Sequence, residues 1–150
     1  MKDPWSSEYK SHQGNVGLGR AIAYYTEKGY TVMLPLNDTQ KYDLVIDKDG
    51  LLQRVSVKTT QFIANKKNEF SVLLKKCGGS SGNAKCQSFN NKDCDILFVL
   101  TITGIMYEIP TKEINVKNAL TLAEKWNKYI ITFNLNGTSA SEEIQKVEVG

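Results

Sequence analysis

Alternating apolar and polar residues dominate the stretch YDLVIDKDGLLQRVSVKTT, residues 42–60. Two such runs flank a turn signal at residues 48–50, so the stretch predicts a β-hairpin. Because successive side chains of a strand point to opposite faces, Asp43 falls on the polar face of the first strand. Ser56 and Lys58 fall on the polar face of the second. An acid near the start of one strand can therefore face a lysine near the end of its neighbour.

The hydrophobic pattern elsewhere predicts one helix and several further strands. Leu18 and its apolar neighbours recur at helical spacing behind Asn15, a suitable N-cap, and Gly29 suits a helix end, so we expect a helix over residues 15–28. Further strands are predicted at 30–34, 69–74 (beside the second arm of the hairpin), 95–101, 105–109 and 128–133, and helical turns at 111–114 and 118–126. This order favours an α/β fold with a mixed, mostly antiparallel central β-sheet flanked by helices.

The length of 150 residues allows one domain with one hydrophobic core. We expect a polar N-terminal lead-in at 1–13, a single folded domain at 14–134 and a loose C-terminal tail at 135–150.

Composition narrows the class of protein. Hydrophobic residues make up 41% of the chain, which is enough for a globular fold. No apolar run approaches the roughly 18 residues of a membrane span, and the polar start lacks a signal-peptide pattern, so we expect a cytoplasmic protein with no membrane partner. The three cysteines are odd in number and lack a CxxC pair. Together with the expected compartment, they argue against a disulfide framework.

The charge distribution points to nucleic acid. The formal net charge is only +3, but residues 54–92 carry eight basic side chains against one acid, Glu69. A basic block of this kind beside an acid–lysine pair suits a phosphate-rich partner. A solvated, lysine-rich surface is the alternative interpretation of the same residues.

Three stretches carry a resemblance to a known family. Tyr42-Asp43 stands where the PD-(D/E)xK nuclease superfamily has Pro-Asp, and Ser56-Val57-Lys58 stands where it has (D/E/Q)-x-K. The segments GNVGLGRAIAYYTEKGYTVMLPLNDTQKYDLVID, residues 14–47, and KDCDILFVLTITGIMYEIP, residues 92–110, are similar to the small group I intron-encoded homing endonucleases of this superfamily. The resemblance spans roughly residues 14–131.

The resemblance implies a site and a reaction. Phosphodiester cleavage needs a neutralised phosphate and an activated water, and a carboxylate-bound Mg²⁺ supplies both. The family pattern makes Asp43 and the backbone carbonyl of Val57 the metal ligands. It gives Lys58 the task of orienting the water or stabilising the pentavalent phosphate, and Ser56 a place at a metal-bound water.

Two positions depart from the family pattern. Leu18 stands where a helix glutamate is frequent, and its spacing also fits an ordinary core residue. Ser56 stands where a carboxylate or amide is usual. Either the missing oxygens come from elsewhere, with Glu8 as the nearest upstream candidate, or the site is impaired.

The partner implied is double-stranded DNA, bound by a homodimer or homotetramer because one such domain covers few base pairs. The residues expected to contact DNA are Arg54, Gln61, Lys66, Lys67, Lys75, Lys76 and Lys85. Arg54 in particular can recognise guanine. The sequence thus predicts a sequence-specific endonuclease of the intron-homing type. A catalytically dead DNA-binding protein on the same scaffold, and a Holliday junction resolvase or restriction-type nuclease, are the alternatives.

Overall fold

The computed structural model describes residues 3, 5–6, 10–37, 39–77 and 85–132. Its elements are α1 (Lys10–Glu27), β1 (Thr31–Met33), β2 (Leu44–Lys48), β3 (Leu51–Thr60), β4 (Ser71–Leu73), β5 (Lys76–Cys77), β6 (Cys86–Gln87), β7 (Ile96–Thr101), β8 (Met106–Pro110), β9 (Ala119–Thr121) and β10 (Ile130–Ile131), with 3₁₀ helices at Thr111–Glu113 and Glu124–Tyr129.

A six-stranded sheet in the order β1-β2-β3-β7-β8-β10 forms the centre of the fold. Its neighbouring strands are antiparallel except for β3 and β7, which run parallel. A parallel pair needs a long crossover, and here that crossover contains β4, β5 and β6. The predicted α/β class with a mixed, mostly antiparallel sheet is confirmed.

The predicted hairpin of β2 and β3 is present, and its turn explains the local sequence. Asp49 and Gly50 have φ values of 52° and 94°, the positive pair that a tight two-residue hairpin turn requires. The Gly50 N–H donates to Oδ1 of Asp47 at 2.6 Å, which holds the turn from within.

Two hydrophobic layers cover the sheet, one on each face. α1 lies on the first face, where its buried Ala21, Tyr24 and Tyr25 pack with Leu44 and Phe98. The second layer joins the other face of β7 to β4, β8, β9 and the second 3₁₀ helix; its buried residues are Val72, Leu74, Leu97, Val99, Tyr107, Ile109, Ile114, Leu120, Leu122 and Trp126. All six residues of β7 are buried, as the apolar run at 95–101 predicts for a central strand.

Several predicted boundaries and pairings are wrong. The helix begins at Lys10, well before Asn15. The segment predicted to lie beside the second arm of the hairpin, β4, pairs instead with β9, because β7 occupies that edge of β3. β9 itself lies in the segment predicted to be helical from 118 to 126, where only the part after Ala123 forms a 3₁₀ helix. The interactions that decide these pairings are distant in sequence, so local propensity does not reveal them.

The expectation of no disulfide is also wrong. Cys77 and Cys86 lie directly opposite each other on the β5–β6 ribbon and form a disulfide bond. Cys94 is a buried free thiol. The pairing depends on a ribbon that brings together two positions nine residues apart, and the odd cysteine count gives no hint of it.

The predicted division into lead-in, domain and tail stays a prediction. α1 reaches back into the expected lead-in, and residues 135–150 lie outside the described residues. None of the helices in the described part of the chain has the length and apolarity that a membrane span requires.

Gly17 lies where α1 crosses β3. A Cβ built on it would collide with Cγ2 of Thr59 and approach Cγ1 of Val57 to 3.3 Å. We expect Gly17→Ala to lower the free energy of unfolding by about 1 kcal/mol, because overpacking strain of about 1–3 kcal/mol exceeds a gain in helix propensity of about 1 kcal/mol. Urea unfolding of the wild type and the variant measures the difference.

Gly14 and Gly19 provide matched controls in the same helix, since a Cβ at either position meets nothing within 4 Å. Alanine at these positions should raise the free energy of unfolding by about 0.5–1 kcal/mol. A stabilising effect of Gly17→Ala equal to that of the controls would contradict the close approach of α1 to β3.

Candidate active site

Asp43 is fixed across the hairpin onto β3. Its backbone N–H donates to the carbonyl of Val55 at 2.8 Å, which continues the β2–β3 ladder by one residue. Its carboxylate Oδ2 accepts a hydrogen bond from the Val57 N–H at 2.6 Å and one from Oγ of Ser56 at 3.4 Å. The structure thus joins three of the predicted site residues by hydrogen bonds.

The backbone of Val57 faces the same edge as this carboxylate. In an extended strand the N–H and the C=O of one residue point to the same side. The Val57 N–H donates to Asp43, which directly precedes the first residue of β2, Leu44. The Val57 carbonyl therefore also points to the β2 side of β3. The carboxylate and the carbonyl therefore face the same edge of β3, and their role as metal ligands stays a prediction.

Lys58 is half-buried on the same face of β3 as Ser56. Burial of the Lys58 side chain lowers its pKa, and the nearby ammonium of Lys76 lowers it further, whereas Asp43 acts in the opposite direction. The ion pairs found among the described residues do not include one between Lys58 and Asp43, whose carboxylate is bonded to the Val57 backbone instead. The lysine is therefore held near the carboxylate but stays separate from it.

A small cavity opens beside Ser56 and Lys58, and its lining contains two charged residues that the sequence does not single out. These are Lys41 and Asp93, which share the cavity with Lys76. Nζ of Lys41 donates to Oε1 of Gln87 at 2.7 Å and lies 3.9 Å from Oδ2 of Asp93. Lys41 and Asp93 are far apart in the chain, so only the tertiary fold could reveal their proximity.

The two departures from the family pattern both face this site. Leu18 lines the depression that contains Asp43. An apolar side chain therefore lies where the family often has a glutamate on its first helix. Ser56 is only 3% exposed and contributes a neutral hydroxyl. Glu8 lies outside the described residues. Among the residues that are described, no group of three or more His, Cys, Asp or Glu side chains is placed to hold a metal ion.

The Arg54 side chain makes hydrogen bonds to other residues of the protein. Its Nε lies 3.2 Å from Oδ2 of Asp95, and its Nη2 donates to the carbonyl of Lys92 at 3.2 Å. Burial alone would raise the pKa of Asp95, but hydrogen bonds from the side chain and backbone of Arg54 outweigh it and lower that pKa. Guanine recognition by Arg54 stays a prediction, and its hydrogen bonds give it a role in holding the loop before β7.

The remaining predicted DNA-binding residues lie at two places. Lys66 and Lys67 are exposed in a turn that follows β3 and is closed by a bridge between Ile63 and Phe70. Lys76 lies on β5 and lines both depressions at the site. The others are Gln61, exposed just after β3, Lys75, half-buried before β5, and Lys85, exposed before β6.

The mixed sheet thus sets Asp43, just before β2, against Val57 and Lys58 on β3. A family model described as PD-(D/E)XK endonuclease matches residues 9–130, and this chain belongs to that family. The predicted family is thereby confirmed.

Two relatives accompany this match. Protein 5.3 of Escherichia phage T7 is 37% identical over 87 residues, which are 57% of this chain and 68% of that protein. The solved structure of the bacterial homing endonuclease I-Ssp6803I superposes with a TM-score of 0.65 over 93% of each chain, at 21% identity. That likeness shows that the two proteins share a fold.

The environment of Lys58 is testable by titration. Lys76→Gln removes a like charge and should raise the pKa of Lys58, whereas Asp43→Asn removes an opposite charge and should lower it. NMR titration of the lysine side-chain resonances measures both shifts. Lys75→Gln is the control, because this neighbouring lysine is not among the charges that act on Lys58. Equal effects of the two lysine variants would contradict the described site.

Proposed function

We propose that this protein is a Mg²⁺-dependent endonuclease that cleaves double-stranded DNA at a specific sequence, as homing enzymes do. One observation carries the proposal: the Asp43 carboxylate is hydrogen-bonded to the Val57 backbone, next to a half-buried Lys58. Family membership supports cleavage of phosphodiesters, and the fold shared with a homing endonuclease supports the homing type.

The oxygen donors at this edge suit Mg²⁺. This ion is often held by one or two carboxylates, with water and substrate phosphate completing its coordination. The two hydrogen bonds that the described residues make to the Asp43 carboxylate end on Oδ2, so Oδ1 and the Val57 carbonyl are the oxygens that would hold the ion. When bound there, the ion neutralises phosphate charge and lowers the pKa of a coordinated water.

The side chains around these oxygens have separate tasks. Lys58 donates hydrogen bonds to the attacked phosphate or to the attacking water, and it stabilises the charge that develops in the transition state. Its burial strengthens that interaction, because water screens it less. Lys41 and Lys76 add positive charge at the cavity and draw the phosphate backbone toward Lys58.

DNA extends from this cavity over the turn that carries Lys66 and Lys67. The turn directly follows β3, so the strand that contains Lys58 leads straight to it. One domain of this size covers few base pairs, and a long, partly symmetric site calls for a homodimer or homotetramer.

Asp43→Asn tests the catalytic assignment. It should abolish Mg²⁺-dependent cleavage and leave duplex affinity within a few-fold, because it removes one ligand charge and no group that binds DNA. Nicking of a supercoiled plasmid carrying the target locus measures the activity, and fluorescence anisotropy measures the affinity. Asp49→Asn, an exposed carboxylate at the far end of the same hairpin, should behave as wild type. Cleavage by Asp43→Asn at the wild-type rate would contradict the assignment.

A catalytically inactive DNA-binding protein is the second candidate, favoured by Leu18 and Ser56 at positions where the family carries acids or amides. This candidate predicts tight duplex binding with no nicking by the wild type in either Mg²⁺ or Mn²⁺. Comparison of a four-way junction with linear duplex separates both candidates from a junction resolvase.

The salt dependence of binding tests the DNA surface. Neutralising Lys66 and Lys67 to Gln should reduce the slope of log affinity against log salt by about 0.9 for each phosphate that the protein no longer neutralises. The same change at the exposed Lys112 and Lys128 should leave the slope unchanged, because these lysines lie in the 3₁₀ helices after β8 and line neither depression at the site. Binding isotherms over a salt range, with cognate and scrambled duplexes, provide the slopes. If both pairs of substitutions changed the slope equally, general positive charge would account for DNA binding, and a defined footprint on the turn would be contradicted.

A further inference from the structure

The disulfide between Cys77 and Cys86 lies beside the small cavity that contains Lys58. It crosslinks the β5–β6 ribbon at one of its two residue pairs, and the neighbouring pair is Lys76 opposite Gln87. Both members of that neighbouring pair line the cavity. In each strand of the ribbon, the crosslink is therefore one residue away from a side chain at the candidate site.

Hydrogen bonds from two lysines connect the ribbon to the segment before β2. Nζ of Lys41 donates to Oε1 of Gln87 at 2.7 Å, and Nζ of Lys76 donates to the carbonyl of Gln40 at 3.5 Å. Both hydrogen bonds are exposed, so water competes for the same donors and acceptors. These contacts place the ribbon over the site but hold it there only weakly.

The ribbon itself has few other stabilising interactions in the part of the chain that is described. β5 and β6 form a separate two-stranded sheet and contribute no residue to the two hydrophobic layers, which the chain joins only outside the ribbon, at Leu74 and Phe89. A two-stranded hairpin without a covered apolar face is marginally stable in water. A crosslink offsets this weakness by restricting the open forms of the ribbon. We therefore expect the disulfide to keep Lys76 and Gln87 in place.

The bond is accessible to reductants, since Cys77 and Cys86 are both exposed. A dithiol that attacks it transfers two electrons and two protons: the S–S bond breaks, both sulfurs become thiols, and the dithiol is oxidised to its own disulfide. Compartments with a high level of such reductants favour the open form. Cys94 is already a free, buried thiol, so the same reductant leaves it unchanged.

We propose that the Cys77–Cys86 bond is a redox switch for the candidate site: the oxidised form holds Lys76 at the cavity, where it binds DNA phosphate, and the reduced form releases it. This inference rests on the proposed nuclease function, which brings a DNA phosphate to this cavity. Reduction weakens DNA binding but leaves the contact between Asp43 and Val57 intact, because that contact lies within the β2–β3 hairpin.

Duplex binding over a salt range tests the switch. Protein oxidised with glutathione disulfide is compared with protein reduced by dithiothreitol, and mass spectrometry after thiol alkylation verifies the state of the bond. Reduction should lower the slope of log affinity against log salt by about 0.9, the value for one lost phosphate contact. The double variant Cys77→Ser, Cys86→Ser should match the reduced wild type in both conditions. Lys76→Gln is the matched control, and its slope should not respond to the reductant, because the lysine that the switch releases is absent.

The pKa of Lys58 provides a second measurement that needs no DNA. Lys76 lowers this pKa through its like charge, so the release of Lys76 on reduction should raise it toward the ordinary value. NMR titration of the lysine side chains in both redox states measures the change, and circular dichroism verifies that both states are folded.

The outcomes separate this inference from its foundation. An unchanged pKa of Lys58 overturns the switch, as does an unchanged slope where duplex binding is measurable, and the nuclease proposal survives either result. Absence of the bond from the oxidised protein, or loss of the whole fold on reduction, also overturns it. If the wild type binds no duplex in either state but the pKa of Lys58 still rises on reduction, the nuclease proposal falls and the link between the bond and the cavity stands.

Discussion

The parallel pairing of β3 with β7 is the constraint on which the rest of the structure depends. It places a fully buried strand at the centre of the sheet, so that α1 and the β4–β9 ribbon each have an apolar face to cover. It also fixes the segment before β7 against position 54 of β3, where the Asp95 side chain and backbone bond the Arg54 backbone. The same pairing therefore builds the core and forms one wall of the site.

The parts of the fold that could be predicted are those with local causes. The β2–β3 hairpin is determined by a turn with two positive φ values and by the alternation of apolar and polar residues on either side of it. The hairpin in turn sets the position of Asp43 relative to Lys58. The partner of β4, the Cys77–Cys86 disulfide and the approach of Lys41 to Asp93 have no local cause. Each depends on how the crossover between β3 and β7 folds back, which hydrophobic periodicity does not encode.

The packing of α1 on β3 shows how closely packing and site geometry are linked. Gly17 allows the helix to approach Thr59 and Val57, and Val57 also donates its N–H to Asp43. The next helix residue, Leu18, faces the Asp43 depression. A helix at this distance brings position 18 to the depression, so the leucine gives that depression an apolar wall beside Asp43.

Under the proposed function, the charge balance at the site determines whether phosphate or metal binds first. Lys41, Lys58 and Lys76 surround a cavity whose described lining contains a single carboxylate, and the lowered pKa of Lys58 reflects burial and the like charge of Lys76. Such a cavity repels a free cation more than a site rich in acids does, and it attracts phosphate. Under the proposed function, a bound phosphate would neutralise the lysines and offer its own oxygens as ligands, so the repulsion would fall. Metal binding and DNA binding would then be coupled, and each would strengthen the other at this edge of the sheet.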